Sequence, residues 1–299
     1  MAAIEIQGLS KRFGDVAAVD DLTFSARAGA VTGFLGPNGA GKTTTLRMLL
    51  GLATPTGGTA TIDGQLYGQL AEPVRHVGAV LESTGFHPGR RARDHLRVLA
   101  VAAALPLARV EDVLEQVDLA DVGDRRVKGF SLGMRQRLGL ASALLGDPDV
   151  LILDEPGNGL DPEGINWLRQ FLRTFADGGG TVLVSSHLLA EVAQIVDDVV
   201  IIANGRLVTQ SSLTELADRS RSGVRVRTPQ AETLRAELAD QGIAAQLVAA
   251  DALVALESTA EAVGLAAAVA RVVIYEMTTE HFNLEEMFLE LTTSEGAVR

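Results

Sequence analysis

At 299 residues with a formal charge of −12, the chain exceeds the usual ~100–200 residues of one domain and lacks the basic face that nucleic acid needs from a main partner. Apolar residues make up 47%, enough for a sizeable core, and the absence of cysteine removes disulfide, zinc-thiolate and thiol-nucleophile chemistry and fits a reducing compartment. The opening Met1-Ala-Ala-Ile-Glu-Ile6 has no export pattern, and the longest clean apolar run, 98–108, contains a proline and is about half the ~20 residues of a membrane helix, so a soluble chain is expected.

Along the chain, short apolar runs alternate with amphipathic helical patterns, the signature of a mostly parallel sheet with helices on its faces. Strands are expected at 4–7, 31–35, 59–62, 77–81, 150–154, 181–185 and 199–203, and helices at 42–50, 93–104, 110–117, 132–145, 163–175 and 188–196. The basic cluster Arg90, Arg91 and Arg93 reads as a solvated loop or helix start. Near Arg219 the composition turns polar and rich in Arg and Ser. This divides the chain into 1–219 and a small domain, 220–299. The small domain reads as strand 224–228, helix 230–241, strands 244–249 and 252–256, helix 259–270 and strand 271–275. That βαββαβ order is the ferredoxin-like arrangement. An amphipathic helix is expected at 284–291.

Gly36-Pro37-Asn38-Gly39-Ala40-Gly41-Lys42-Thr43 follows a strand and opens a helix, the context that a phosphate-binding loop requires. Glycines let the backbone approach oxygens closely, and the N–H groups at a helix N-terminus face an anion. Lys42 adds a mobile charge for β- and γ-phosphates, and Thr43 a hydroxyl for Mg²⁺. From average residue frequencies the pattern arises by chance in roughly one chain of this length in a hundred. Lysine is otherwise scarce, occurring only as Lys11, Lys42 and Lys128.

Val150-Leu-Ile-Leu-Asp-Glu155 is an apolar strand ending in two carboxylates, Asp154 and Glu155, at the end of the sheet where ligands bind. Asp154 suits a water-bridged Mg²⁺; Glu155 suits orienting and deprotonating a water. Alone, the pair is an ordinary acidic loop before Pro156, and only the neighbouring phosphate loop makes it chemical. In Phe130-Ser131-Leu132-Gly133-Met134-Arg135-Gln136-Arg137, Ser131 reads either as a plain helix N-cap or as part of a second anion site.

Taken in order, the loop at 36–43, Ser131-Leu-Gly-Met-Arg-Gln136, Leu151-Ile-Leu-Asp-Glu-Pro156, Gly159-Leu-Asp-Pro162 and Ser185-Ser-His187 resemble the ATP-binding cassette (ABC) ATPases over about residues 4–210. The resemblance implies an α/β P-loop fold with an antiparallel β part and a helical subdomain. Gly85-Phe-His-Pro-Gly89, Ser185-Ser-His-Leu-Leu189 and Leu284-Glu-Glu-Met-Phe-Leu-Glu-Leu291 look like drug and antibiotic exporters, in which the ATPase and the membrane permease are separate chains.

What the resemblance implies is an ATP- and Mg²⁺-dependent homodimer at the cytoplasmic face of the cell membrane, with each ATP shared between subunits. Phe13 would stack on adenine, the alternative being a core residue. The loop 36–43 with Thr44 would hold phosphates, and Thr43, Asp154 and Glu82 the metal. Glu155 would be the general base and His187 the γ-phosphate sensor. Ser131, Gly133 and Met134 would close on the partner's ATP, and Asp161 would link the two sites. Three departures stand out. Glu82 replaces the usual Q-loop glutamine, Leu132 the first signature glycine, and Met134 the signature glutamine. A soluble ABC ATPase acting on ribosomes or nucleic acid is the alternative, weakened by the single P-loop, the acidic charge and the lack of a long coiled coil. A GTPase-like switch lacks an Asn-Lys-x-Asp motif. Residues 220–299 carry no glycine-rich loop or ligand cluster and are expected to regulate or to stabilise the dimer.

Overall fold

The computed structural model describes residues 2–81, 85–188, 192–219, 223–256 and 258–280. These form two compact units that divide between Leu213 and Thr214. The first runs through β1 (Ala2–Phe13), β2 (Val16–Arg27), β3 (Val31–Leu35), α1 (Lys42–Leu49), β4 (Gly57–Ile62) and β5 (Val77–Val80). There follow α2 (Ala92–Ala102), α3 (Arg109–Gln116), α4 (Leu132–Leu144), β6 (Val150–Asp154) and α5 (Pro162–Asp177). It closes with β7 (Thr181–Ser186), β8 (Asp198–Ala203) and β9 (Arg206–Ser212), before α6 (Leu213–Arg219).

The continuous apolar runs become the interior of a six-stranded sheet, ordered β5-β6-β7-β3-β8-β9 and parallel except for β9. Every residue of β3, β6, β7 and β8 is buried. A strand covered on both faces has no use for an alternating pattern, which is why these strands read as unbroken apolar runs. Register aligns the strand ends. Leu35 pairs with Ser186, and Asp154 with Ser185, so the C-terminal ends of β6, β7 and β3 finish side by side.

A three-stranded antiparallel sheet, β2-β1-β4, packs on this framework. Phe24 of β2 stacks on Phe34 of β3, with centroids 5.1 Å apart, in a core shared with Leu46 and Leu49 of α1. Burying one such aromatic is worth about 1.5–3 kcal/mol. The hairpin is longer than the strand expected at 4–7, and β2 was not expected at all. Its Asp20-Asp21 pair has the look of a turn. Within the strand, Asp21 adopts φ 52, and its N–H bonds to Ser10 Oγ at 3.0 Å, so the sheet absorbs the pair as a bulge. Helices α2, α3 and α4 pack as a side layer, in which Arg93 of α2 binds Glu111 of α3, Asp124 and the Ala120 carbonyl.

The second unit contains β10 (Gly223–Arg227), α7 (Ala231–Asp240), β11 (Ala245–Ala249), β12 (Ala252–Leu256), α8 (Ala260–Ala270) and β13 (Glu276–Glu280). Its sheet is antiparallel and ordered β11-β12-β10-β13, the ferredoxin-like order. Val224, Val226, Leu234, Leu238, Leu253 and Val263 fill its core. The last strand corrects the expectation of 271–275. Arg271 closes α8 in the left-handed region at φ 55, and the Val272 N–H bonds back to Ala267 O. Those apolar residues therefore end the helix, and pairing with β10 starts at Glu276. The expected helix at 284–291 lies outside the described residues, as do residues 189–191 of the one expected at 188–196.

Candidate functional site

Loop 36–43 leaves β3 and turns directly into α1, and two of its glycines have steric reasons. A Cβ on Gly36 would overlap the Ile202 carbonyl. Gly41, the α1 N-cap, sits at φ 104, where a side chain is strained. A cavity of about 410 Å³ opens over this turn, lined by Asn38, Gly39, Ala40, Gly41, Lys42, Thr43 and Thr44 together with Ala18, Glu155, Asn158 and His187. Gly36 and Pro37 sit behind it and hold Lys42 through their carbonyls, at 2.6 and 3.3 Å from Nζ.

The aligned strand ends bring the remaining chemistry to the same place. Lys42, only 6% exposed, lies 3.1 Å from Glu155 Oε1, a meeting of charges outside hydrogen-bond alignment. The other Glu155 oxygen is 2.8 Å from His187 Nδ1. Glu155 is 9% exposed and its backbone is left-handed, φ 49, a conformation that costs a non-glycine residue roughly 1–2 kcal/mol. Ser185 at the end of β7 holds it there. The buried Ser185 Oγ accepts from the Glu155 N–H at 2.9 Å and donates to Asp154 Oδ1 at 2.6 Å. Thr43 Oγ1 donates to the other Asp154 oxygen at 2.7 Å.

Other expected residues stand apart from this cavity. Phe13 is 57% exposed at the β1–β2 turn, with Lys11 Nζ 5.1 Å from its ring centroid, so it is not a core residue. Ser131 caps α4 by accepting from the Met134 N–H at 3.2 Å, and Asp161 caps α5 by accepting from the Gly164 N–H at 2.8 Å. Ser131, Gly133, Met134 and Asp161 do not line the cavity of their own chain. Glu82 lies outside the described residues. The sequence motifs assign no role to Ser185, Asn158 or Ala18. Asn158, in the turn after Glu155, had a signal in its position between two motifs; Ala18 had none.

A second cavity, about 360 Å³, is lined by Leu50, Leu52, Tyr67, Val80, Phe86 and His95, among others. His95 packs edge-on against Phe86 at 5.0 Å, and its Nδ1 is buried without a hydrogen-bond partner. Burial, and then the charge of Arg90, hold its imidazole pKa below the usual value. Among the described residues no helix is long and apolar enough to cross a membrane.

A phosphate-binding loop at the end of a mostly parallel sheet, with Glu155 and His187 lining its cavity and Asp154 bonded to its Thr43, defines a P-loop ATPase. Comparison with known proteins narrows the class. The family model described as "ABC transporter" matches residues 19–158, and one described as a "Domain of unknown function" matches 222–285. The chain is 42% identical over 221 residues to the bacitracin transport ATP-binding protein of Bacillus licheniformis, covering 73% of this chain and 72% of that protein. It is 35% identical to a lantibiotic transport ATP-binding protein of Streptococcus pyogenes, over 69% of this chain and 90% of that one. A solved ATP-binding subunit of an ABC transporter superposes with a TM-score of 0.65 at 29% identity, covering 73% of this chain and 92% of that one. This chain belongs to the ABC transporter ATP-binding proteins. It is an ATP-binding subunit whose ATPase activity is coupled to transport, and the relatives' names give no support to the ribosomal or nucleic-acid alternative.

Proposed function

We propose that the chain hydrolyses ATP as half of a homodimer and so drives a separate membrane permease that exports antibiotics, drugs or lipid-like molecules. The observation that carries the catalytic reading is the Glu155 carboxylate, suspended between Lys42 Nζ at 3.1 Å and His187 Nδ1 at 2.8 Å at the mouth of the loop cavity. The bacitracin and lantibiotic relatives support the class of cargo.

Lys42 donates to two loop carbonyls and sets its charge beside Glu155 Oε1. An arriving triphosphate offers Lys42 stronger charge-assisted partners, and the exchange frees Glu155 Oε1 to accept a proton from water. His187 keeps the other Glu155 oxygen oriented and faces the same cavity, which suits it to sensing the γ-phosphate. The amides of 38–43 and Thr44 cradle the phosphates, and Phe13, exposed, stacks on adenine.

The Thr43 hydroxyl and the Asp154 carboxylate form a hard-oxygen pair that fits Mg²⁺, an ion usually held by one or two carboxylates plus phosphate oxygens. Glu82 would add a second carboxylate. Held by Thr43 and Asp154, Mg²⁺ would supply positive charge to offset that of the nucleotide's phosphates.

Ser131, Gly133 and Met134 at the α4 N-terminus, absent from their own chain's cavity, would complete the partner subunit's site, with Asp161 linking the two. The permease would dock around Glu82 to His95 and the apolar cavity beside it, holding the protein at the cytoplasmic face of the membrane. The second unit would regulate or stabilise the dimer. The composite site is tested by Glu155→Gln, in which blocked hydrolysis should trap closure. Size-exclusion chromatography with light scattering should give a dimer with Mg-ATP and a monomer without; a monomer in both conditions contradicts the proposal.

A further inference from the structure

Within one chain, α4 touches the turn leading into α5 at two successive places and α5 itself at a third. Leu132, 49% exposed, lays its Cδ2 on Gly159, which adopts φ 73; a Cβ there would overlap that methyl. One residue on, Gly133 faces Leu160, whose Cδ2 would be 3.5 Å from an added Cβ. A turn later, the Arg137 guanidinium lies 4.1 Å from the Trp167 ring centroid while donating to Asp118 at 3.0 Å. Ser131 and Asp161, the caps of the two helices, flank these contacts.

Glycine at a positive φ leaves a turn with wide conformational freedom, and a side chain seated on its α-carbon restricts that freedom. Leu132 is large where Gly159 has nothing, and the pair fits for that reason. With glycine at 132, as in the family motif, this restraint would be missing.

We infer that Leu132 is a positioning residue for hydrolysis: its seat on Gly159 fixes the Asp161 turn against the α4 N-terminus, so that Ser131, Gly133 and Asp161 reach the partner subunit's nucleotide as one block. This role rests on the composite site proposed for the dimer. A contact between one exposed side chain and a backbone adds little to stability, since each atom pair contributes little. A displacement of about 1 Å at a reacting centre, by contrast, can cost ~10²-fold in rate.

The test uses the full chain. Leu132→Ala should leave ATP affinity (fluorescent-nucleotide titration), KM and thermal stability near wild type and lower kcat about tenfold or more. Leu132→Met, which conserves volume, should restore kcat to within about threefold. Gly159→Ala should cost much more kcat in the wild-type background than beside Leu132→Ala. The strain of alanine at positive φ is common to both backgrounds and cancels in the cycle. Wild-type kcat in Leu132→Ala, an equal loss in Leu132→Met, or the same cost of Gly159→Ala in both backgrounds overturns the inference. If Gly159→Ala does not fold, the contrast between alanine and methionine at 132 decides alone. A Glu155→Gln chain that never dimerises with Mg-ATP would instead sink the composite site, and this inference with it. A Glu155→Gln dimer beside wild-type kcat in Leu132→Ala sinks only the role of Leu132.

Discussion

Ser185 shows what a motif can contain without giving it a role. Lys42, Thr43, Asp154, Glu155 and His187 were visible because their residue types and spacing are rare in combination. A serine closing an apolar strand carries no such signal. Its importance comes from register: β6 and β7 pair so that Ser185 lies beside Asp154, where one hydroxyl serves both the Asp154 carboxylate and the Glu155 N–H. Ser185→Ala would leave both groups buried with a partner lost, at about 1–3 kcal/mol for each unsatisfied group. Chemical denaturation should therefore show a loss of that order, with hydrolysis impaired more than ATP affinity because Lys42 and the loop amides remain. A variant as stable and active as wild type would mean that Ser185 does not hold Glu155.

Among the elements, legibility followed the environment of each strand. The buried parallel strands and the helices beside them were readable to within a few residues because their apolar patterns are long. β2 was not, since two aspartates interrupt it and only pairing with β1 makes it a strand. β13 was displaced by five residues because the apolar stretch before it serves to close α8. The loop-to-α2 segment carries its own pH dependence. The folded-state pKa of His95 is lowered, by burial first and by Arg90 second, so the folded chain holds it neutral. The unfolded chain takes up the proton below the ordinary imidazole value of about 6.5, so the stability contribution is complete above that pH and is lost as pH falls toward the folded value. Melting temperatures of wild type and His95→Phe should diverge as pH drops below about 6.5, wild type losing more. Parallel curves would show that His95 is not the titrating group.

Over the whole molecule, the class was legible because five motifs occur in one order, whereas the assembly came only through the family resemblance, because half of each proposed site would belong to another copy. Ser131, Gly133, Met134 and Asp161 sit at helix starts and leave their own cavity unlined. Spacing along one chain has no means of showing where a second chain sits. The departures at Leu132 and Met134 fall on that proposed shared surface, and Glu155 is where both halves would converge on chemistry. The most direct measurement is single-turnover hydrolysis of radiolabelled ATP by Glu155→Gln, with nucleotide affinity measured on the same sample. Glutamine keeps the shape of the side chain but cannot accept a proton from water. The account predicts that ATP still binds while hydrolysis falls roughly 10²–10⁴-fold, about 3–5 kcal/mol of barrier. Hydrolysis at the wild-type rate would contradict it and remove Glu155 from the mechanism.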